Sequence, residues 1–462
     1  MGAASRSCHS KALARSMKIL LIVLDGLGDR PSPLLDNLTP LEAAPTPNLD
    51  RLAAAAANGR FWAVEPWLPV GTAMAHHVMF GYDPAEFADR AVLMALARGF
   101  PPQPDDVVFA ARFASAVPGG DHYRLRERFI RGAEDACAEL AESIGSWNGG
   151  GLEFSYRYCG RGDGLLTVRG DASPEVTDSD PLGLDLPVIE IQALEAAAND
   201  EAAQSTAVAL NAYLEWAHRT LSEHPANTRR GDAGELPINM LITKWGGRLR
   251  ALEPFAERHG VRAAGVPGEE IVDGAQRAVG MMIRKVAPQA APRGDLEDRL
   301  GAAFALFADN YEFVHLHTKE PDATGHWSDP VRKRDVIAAL DSALDNYVER
   351  LVEDTDLVVA VTGDHCTPSS WNGLGVGDFN DQHSGEAVPI LVRGSHALVD
   401  GVATFGERPA AGGALGTVLG THLMPMLLAL ADRTNVAGVR PTPRPTSYRP
   451  RNVRALRPPA SR

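Results

Sequence analysis

The chain has 462 residues, 45% apolar and 23% charged, the make-up of a globular protein too long for one ordinary hydrophobic core. Its net charge of -14 argues against a general nucleic-acid binder, and no stretch approaches the roughly 20 apolar residues that span a bilayer. Four cysteines, Cys8, Cys137, Cys159 and Cys366, show no paired spacing, which predicts a reducing, cytoplasmic setting without a disulfide frame.

Residues 1–16 are basic and Ser/Ala-rich with no apolar centre, a poor secretory signal. Arg6 stands where a myristoylation signal needs Ser or Thr. A disordered leader is expected here, or a chain whose working start is Met17. Residues 17–24 are almost wholly apolar and read as a buried parallel strand. Asp25-Gly26-Leu27-Gly28-Asp29 follows, and its glycines allow a sharp turn. Asp25 either caps that turn or enters a site at the strand's carboxyl end, where open α/β sheets bind ligands.

Thr46-Pro47 opens a helix as N-cap and first residue, and Asn58-Gly59 is expected to cap its other end. Gly71-Thr72 suits a turn into another helix, where the Thr72 hydroxyl either caps or meets an anionic phosphate. Past about residue 117 the texture changes. The pattern predicts an amphipathic helix over 134–143, a loop over 146–151, a short strand over 165–169, a long helix over 202–218, and αβ alternation from 249 to 286. This predicts a smaller α+β domain at 117–292, inserted between core segments at 17–116 and 293–440, with a Pro/Arg-rich tail over 441–462. Asp178-Ser179-Asp180-Pro181 and Arg229-Arg230 read as surface turns and solvated charge, or as substrate contacts.

Residues 311–317 form another core strand, and Asp322 and His326 follow it four apart, so one helical turn puts both on one side. A helix over 335–351 is expected next. Residues 357–361 are a further buried strand that ends in Asp364-His365, a pair suited to a divalent cation that activates oxygen chemistry. A Gly/Asn-rich loop leads from Pro368 to His383, just ahead of a strand near Val388. The candidates are Asp25, Thr72, Asp322, His326, Asp364, His365 and His383. Three carboxylates and three imidazoles can hold two divalent ions, and two ions about 4 Å apart stabilise the attacking and leaving oxygens at phosphorus. Metal coordination also activates a Thr hydroxyl as nucleophile.

This order resembles the alkaline phosphatase superfamily, and more closely the archaeal-type, cofactor-independent phosphoglycerate mutases. The resemblance runs from Met17 to about Asp432. It is carried by Ile22-Val23-Leu24-Asp25-Gly26-Leu27-Gly28-Asp29-Arg30-Pro31, Thr39-Pro40-Leu41-Glu42-Ala43-Ala44 and Thr46-Pro47-Asn48-Leu49-Asp50-Arg51-Leu52. His76, Gly81-Tyr82-Asp83-Pro84, residues 322–326, 363–368 and 383–392, Gly413-Ala414-Leu415-Gly416 and Met424-Pro425 continue it. It implies an alkaline-phosphatase-like α/β core, with a central, mostly parallel sheet between helices and an inserted domain that closes over a small phosphorylated or phosphonate substrate. It assigns one ion to Asp322, His326 and His383 and the other to Asp25, Asp364, His365 and the nucleophile Thr72. The ions would be Mn²⁺ or Zn²⁺, with Mg²⁺ or Co²⁺ also fitting. Lys319, Lys333 and Arg90 are the expected substrate contacts.

The chain also departs from that family. Thr72-Ala73 stands where the family has Ser-Asp, and residues 124–131 replace an Arg-Arg-Ala-Gly-Arg segment. Lys244-Trp245-Gly246-Gly247 replaces Arg-Gly-x-Gly. Residues 320–326 look more like the Pro-Asp-x-x-Gly-His of superfamily phosphodiesterases. The reading is therefore a two-metal phosphoryl-transfer enzyme, a phosphoglycerate mutase or alternatively a phosphatase, phosphodiesterase or phosphonate hydrolase. The rival is a non-catalytic relative that binds metal or metabolite.

Overall fold

In a computed structural model, residues 17–370, 383–433 and 457 are described; the expected leader, nearly all of the 441–462 tail and the Gly/Asn-rich stretch 371–382 lie outside them. Strand Lys18–Leu24 lies between Phe313–Thr318 and Leu357–Thr362 and runs parallel to both. It is apolar on both faces because both faces are covered. Ile19, Leu21 and Val23 enter one core; Leu20, Ile22 and Leu24 enter another on the opposite side. Ala263–Val266 and Met282–Ile283 extend the sheet in parallel beyond Phe313–Thr318. On the other side Val388–Arg393 pairs antiparallel with Leu357–Thr362, then Ala57–Trp62 antiparallel with Val388–Arg393, then Gly416–Leu419 parallel to Ala57–Trp62. The result is an eight-stranded, mostly parallel α/β sheet.

Strand direction decides where the loops emerge. Lys18–Leu24, Phe313–Thr318, Leu357–Thr362 and Ala57–Trp62 all point the same way, so the segments after them meet at one edge. Val388–Arg393 runs against them, so the segment before it, with His383, reaches that same edge.

A second, antiparallel sheet contains Val107–Pro118, Tyr123–Glu127, Ser146–Gly149, Leu152–Gly160, Asp163–Arg169 and Met240–Arg248. Helices Glu134–Ser143 and Glu201–Ser222 share its core through Leu140, Leu210 and Tyr213 beside Phe109, Phe113 and Phe154. Val107–Pro118 already belongs to this sheet, whereas Ala263–Val266 and Met282–Ile283 belong to the large one. On that membership we propose bounds near 107–248 for the inserted unit in place of 117–292.

Three local expectations change. The stretch read as a loop at 146–151 is a hairpin: Ser146–Gly149 pairs with Leu152–Gly160 across Gly150 and Gly151, at φ +62° and +79°. The helix expected over 335–351 is two, Pro330–Ser342 and Val348–Glu353; Asp329 starts the first by accepting from the Arg332 N–H. Asn58-Gly59 lies inside a strand, not after a helix, yet the Asn58 amide still donates to the Ala53 carbonyl at 2.9 Å.

Candidate active site

Five segments bring polar side chains to the common edge. Asp25 follows Lys18–Leu24, Lys319 and helix Glu320–Gly325 follow Phe313–Thr318, and Asp364-His365 follows Leu357–Thr362. His383 precedes Val388–Arg393, and Thr72 begins helix Thr72–Met79. Asp25, Asp322 and Asp364 are almost wholly buried.

Hydrogen bonds settle which imidazole nitrogens carry protons. Thr367 donates its only hydroxyl hydrogen to Asp322 Oδ1 at 2.6 Å, so the 3.1 Å contact with His365 Nδ1 is a bond donated by the imidazole. His365 Nε2 is therefore a bare lone pair. It faces Asp25 Oδ1 at 3.3 Å and Asp364 Oδ2 at 3.2 Å, and neither oxygen accepts a hydrogen bond. His383 Nδ1 donates to the Val70 carbonyl at 2.8 Å, so in the neutral ring Nε2 is a lone pair, 3.4 Å from Asp322 Oδ1. Lone pairs and carboxylate oxygens converging in a buried space repel unless a cation lies between them, and N/O donor sets of this kind suit divalent ions. Two groups meet that condition: Asp25, Asp364 and His365, and Asp322, His365 and His383. His326 Nε2 lies 3.1 Å from Asp322 Oδ2, at the edge of the second group.

Asp25, His317 and Glu269 also come together, but chemistry excludes His317 as a ligand there. The Gly268 N–H donates to His317 Nδ1 at 3.2 Å, so His317 Nε2 carries hydrogen and donates to Asp25 Oδ2 at 2.9 Å. This bond orients the carboxylate and leaves Oδ1 to face His365 Nε2. His76 donates from Nδ1 to the Thr72 carbonyl at 2.8 Å, holding the first turn of helix Thr72–Met79.

Electrostatics follow the same division. Burial pushes Asp364 well above the usual carboxylate range, and the adjacent Asp25 adds to it. Burial acts upward on Asp25 too, but Lys319, with His317 and His365, holds it well below that range. Burial and the neighbouring His383 push His365 down to about 4, so this imidazole is neutral. Lys319 bridges the two groups: its ammonium lies 3.0 Å from Asp25 Oδ2, 2.7 Å from Asp322 Oδ2 and 3.4 Å from Glu269 Oε1. Thr72 Oγ lies 3.1 Å from His365 Nε2.

Two expected substrate contacts lie elsewhere. Lys333 is fully buried, with its ammonium on the Gly28 and Thr367 carbonyls and Asp29, and so offers no surface to the expected substrate. Arg90 stacks over Trp245, in a second polar cluster. There Arg128 forks onto Asp180 at 2.9–3.1 Å, Lys244 reaches the same carboxylate at 3.2 Å, and Arg112 pairs with Asp163 at 2.5 Å. Asp178 accepts from the Trp245 N–H, while Arg229 and Arg230 pair with Glu139 and Glu235. Glu269, His317 and Thr367 received no role from the sequence. His315 and His317 alternate on one face of a core strand, a signal that was present.

The chain matches the family model described as "Metalloenzyme superfamily" over residues 17–430. It is 34% identical over 426 residues to the 2,3-bisphosphoglycerate-independent phosphoglycerate mutase of Methanopyrus kandleri, covering 91% of this chain and 98% of that one. Among solved structures, the PH0037 protein of Pyrococcus horikoshii is 30% identical with a TM-score of 0.73, covering 92% of this chain and all of that one. The cofactor-independent phosphoglycerate mutase of Thermoplasma acidophilum is 31% identical with a TM-score of 0.60, covering 90% of this chain and all of that one. Fold and site thus define a metal-dependent phosphoryl-transfer enzyme of the metalloenzyme superfamily. Within it, the chain belongs to the 2,3-bisphosphoglycerate-independent phosphoglycerate mutase family.

Proposed function

We propose that the protein carries out a phosphoglycerate mutase-like phosphoryl transfer in which Thr72 holds the phosphoryl group between two half-reactions. The observation that carries this is the Thr72 hydroxyl at a helix start, 3.1 Å from the bare nitrogen that faces both candidate cation positions. Asp25, Asp364 and His365 would hold one divalent ion; Asp322, His383 and His326 would hold the other, with His365 at their border. Mn²⁺ or Zn²⁺ fits these mixed carboxylate and imidazole donors. Bound there, such ions would lower the pKa of the Thr72 hydroxyl and offset charge on the phosphoryl oxygens.

The protein's own groups do the rest. The first N–H groups of helix Thr72–Met79 have no partner within the helix and favour an anion beside Thr72. Lys319, partly exposed, presents a cation between the two carboxylate groups. Thr72 Oγ forms the bond to phosphorus as the ester P–O bond breaks, and the proton that the Thr72 hydroxyl gives up is balanced by the one that the released alkoxide takes up. A second hydroxyl of the same molecule then takes the phosphoryl group back, which is isomerisation.

A second reading, hydrolysis, has its own support. Arg128 and Lys244 are both engaged by Asp180, and Arg126 by Asp185 at 2.6 Å, so these cations already have carboxylate partners. A mutase must grip its intermediate and keep water away. Incubation with Mn²⁺ and 3-phosphoglycerate in ¹⁸O-water distinguishes the two. Conversion to 2-phosphoglycerate without labelled phosphate supports the mutase; labelled phosphate without isomerisation supports the hydrolase; neither product from this or other phosphate esters and phosphonates refutes the phosphoryl-transfer reading.

A further inference from the structure

Lys333 has no exposed surface. It projects from helix Pro330–Ser342, which begins four residues after His326. Its ammonium donates to the Gly28 carbonyl at 2.9 Å and the Thr367 carbonyl at 2.8 Å, and lies 3.0 Å from Asp29 Oδ2. Those three partners use all three N–H bonds.

Each partner belongs to a segment that carries candidate cation ligands. Gly28 and Asp29 lie just beyond Asp25. Thr367 lies two residues beyond His365, and its hydroxyl links His365 to Asp322. Asp29 also accepts the Ser369 N–H on both oxygens, at 3.0 and 3.1 Å. The Gly28 carbonyl accepts the Thr367 N–H at 3.1 Å. The two loops are pressed together: a Cβ on Gly28 would sit 3.2 Å from Cys366 Cα and 2.7 Å from Val388 Cγ1. One ammonium therefore ties the Asp25 loop to the Asp364-His365 loop, from the helix that continues the Asp322–His326 turn.

We propose that Lys333 is a positioning residue, which fixes the spacing of the ligand-bearing loops and so the geometry of both cation positions without touching substrate. Burying an ammonium is costly unless it is fully paired, and in some proteins such a buried charge specifies one arrangement. An apolar side chain of the same length would fill the space but take away the cation that offsets the buried Asp29 carboxylate, leaving it only the N–H donors of Arg30 and Ser369, and would remove the bond that joins the Gly28 and Thr367 carbonyls. It would no longer hold the loops to one separation.

The proposal rests on the two-ion reading, and its test separates the two. Mn²⁺ titrations followed by electron paramagnetic resonance and calorimetry are run on the full chain, on K333M and on K333M/D29N, with far-UV circular dichroism and melting with and without Mn²⁺. The double variant removes both buried charges and decides the matter if K333M alone does not fold. The expected result is two Mn²⁺ per wild-type chain. The double variant should show a native far-UV spectrum, Mn²⁺ affinity weakened roughly tenfold or more, and a smaller gain in melting temperature on adding Mn²⁺. A folded double variant with wild-type Mn²⁺ affinity and an equal fall in melting temperature with and without metal overturns the proposal, because that is what packing alone would give. A wild-type chain that takes up no Mn²⁺ defeats the two-ion reading, and this inference with it.

Discussion

The Thr72 hydroxyl oxygen lies 3.1 Å from Nε2 of His365, across 293 residues of sequence. Because His365 commits its hydrogen to Thr367 through Nδ1, the Thr72 hydroxyl is the donor of this bond and Nε2 accepts it. Thr72→Ala is therefore expected to lower kcat by about a thousandfold or more, with far-UV spectrum and Mn²⁺ content retained, while Thr72→Ser keeps substantial turnover. Acid-quenched phosphoenzyme mapped to a residue other than Thr72 would refute the assignment.

His365 belongs to both candidate cation groups, whereas His383 belongs to one. His365→Ala should weaken both Mn²⁺ sites, and His383→Ala chiefly the site at Asp322. Chelation should abolish activity, and adding Mn²⁺ at a hundredfold over its Kd should restore about 2.7 kcal/mol of stability per independent site. Equal metal contents in the two variants would count against the shared position of His365.

Gly26 adopts φ +61°, and a Cβ there would lie 2.8 Å from Asp322 Cα and 2.5 Å from Thr367 Oγ. Gly26→Ala should thus separate the Asp25 and Asp322 loops and destabilise the protein by about 1–3 kcal/mol. Mn²⁺ uptake should fall with it. Denaturant melts paired with metal analysis check both parts.

Asp180 is buried beneath Arg128 and Lys244. Removing it strands two cations in a low-dielectric setting, and Asp180→Ala should cost about 3–5 kcal/mol in urea melts. A change under 1 kcal/mol would show that water reaches these groups.

Burial holds Lys244 down to about 8, against the pull of Asp180 and with the push of Arg128 and Arg112, from an ordinary value of 10.5. Between those two pH values the unfolded chain binds more protons at this residue than the folded one. Lys244 therefore adds stability as pH rises from 8 to 10.5, by about 3 kcal/mol at most, and the gain is lost as pH falls back through that window. The wild-type minus Lys244→Met difference in unfolding free energy should shift toward wild type across it; a flat difference contradicts this.

Much of this protein is legible before any fold is known. The apolar runs at 17–24, 311–317 and 357–361 announce parallel strands, because a strand covered on both faces has no polar side to show. The Asp and His residues that follow them are ligand types by their chemistry alone. What the sequence could not contain is which strands are neighbours and which way they run. His383 joins the site only because Val388–Arg393 lies antiparallel to Leu357–Thr362. Proton positions on His365, His383 and His317 depend on Thr367, Val70 and Gly268, partners brought together by folding. Lys333 is expected from the sequence to touch substrate, yet it is fully buried between the Asp25 loop and the Asp364-His365 loop. Side-chain chemistry and burial period are local properties written residue by residue; pairing, direction and proton location come from contacts between segments hundreds of residues apart, which only the packed tertiary structure decides.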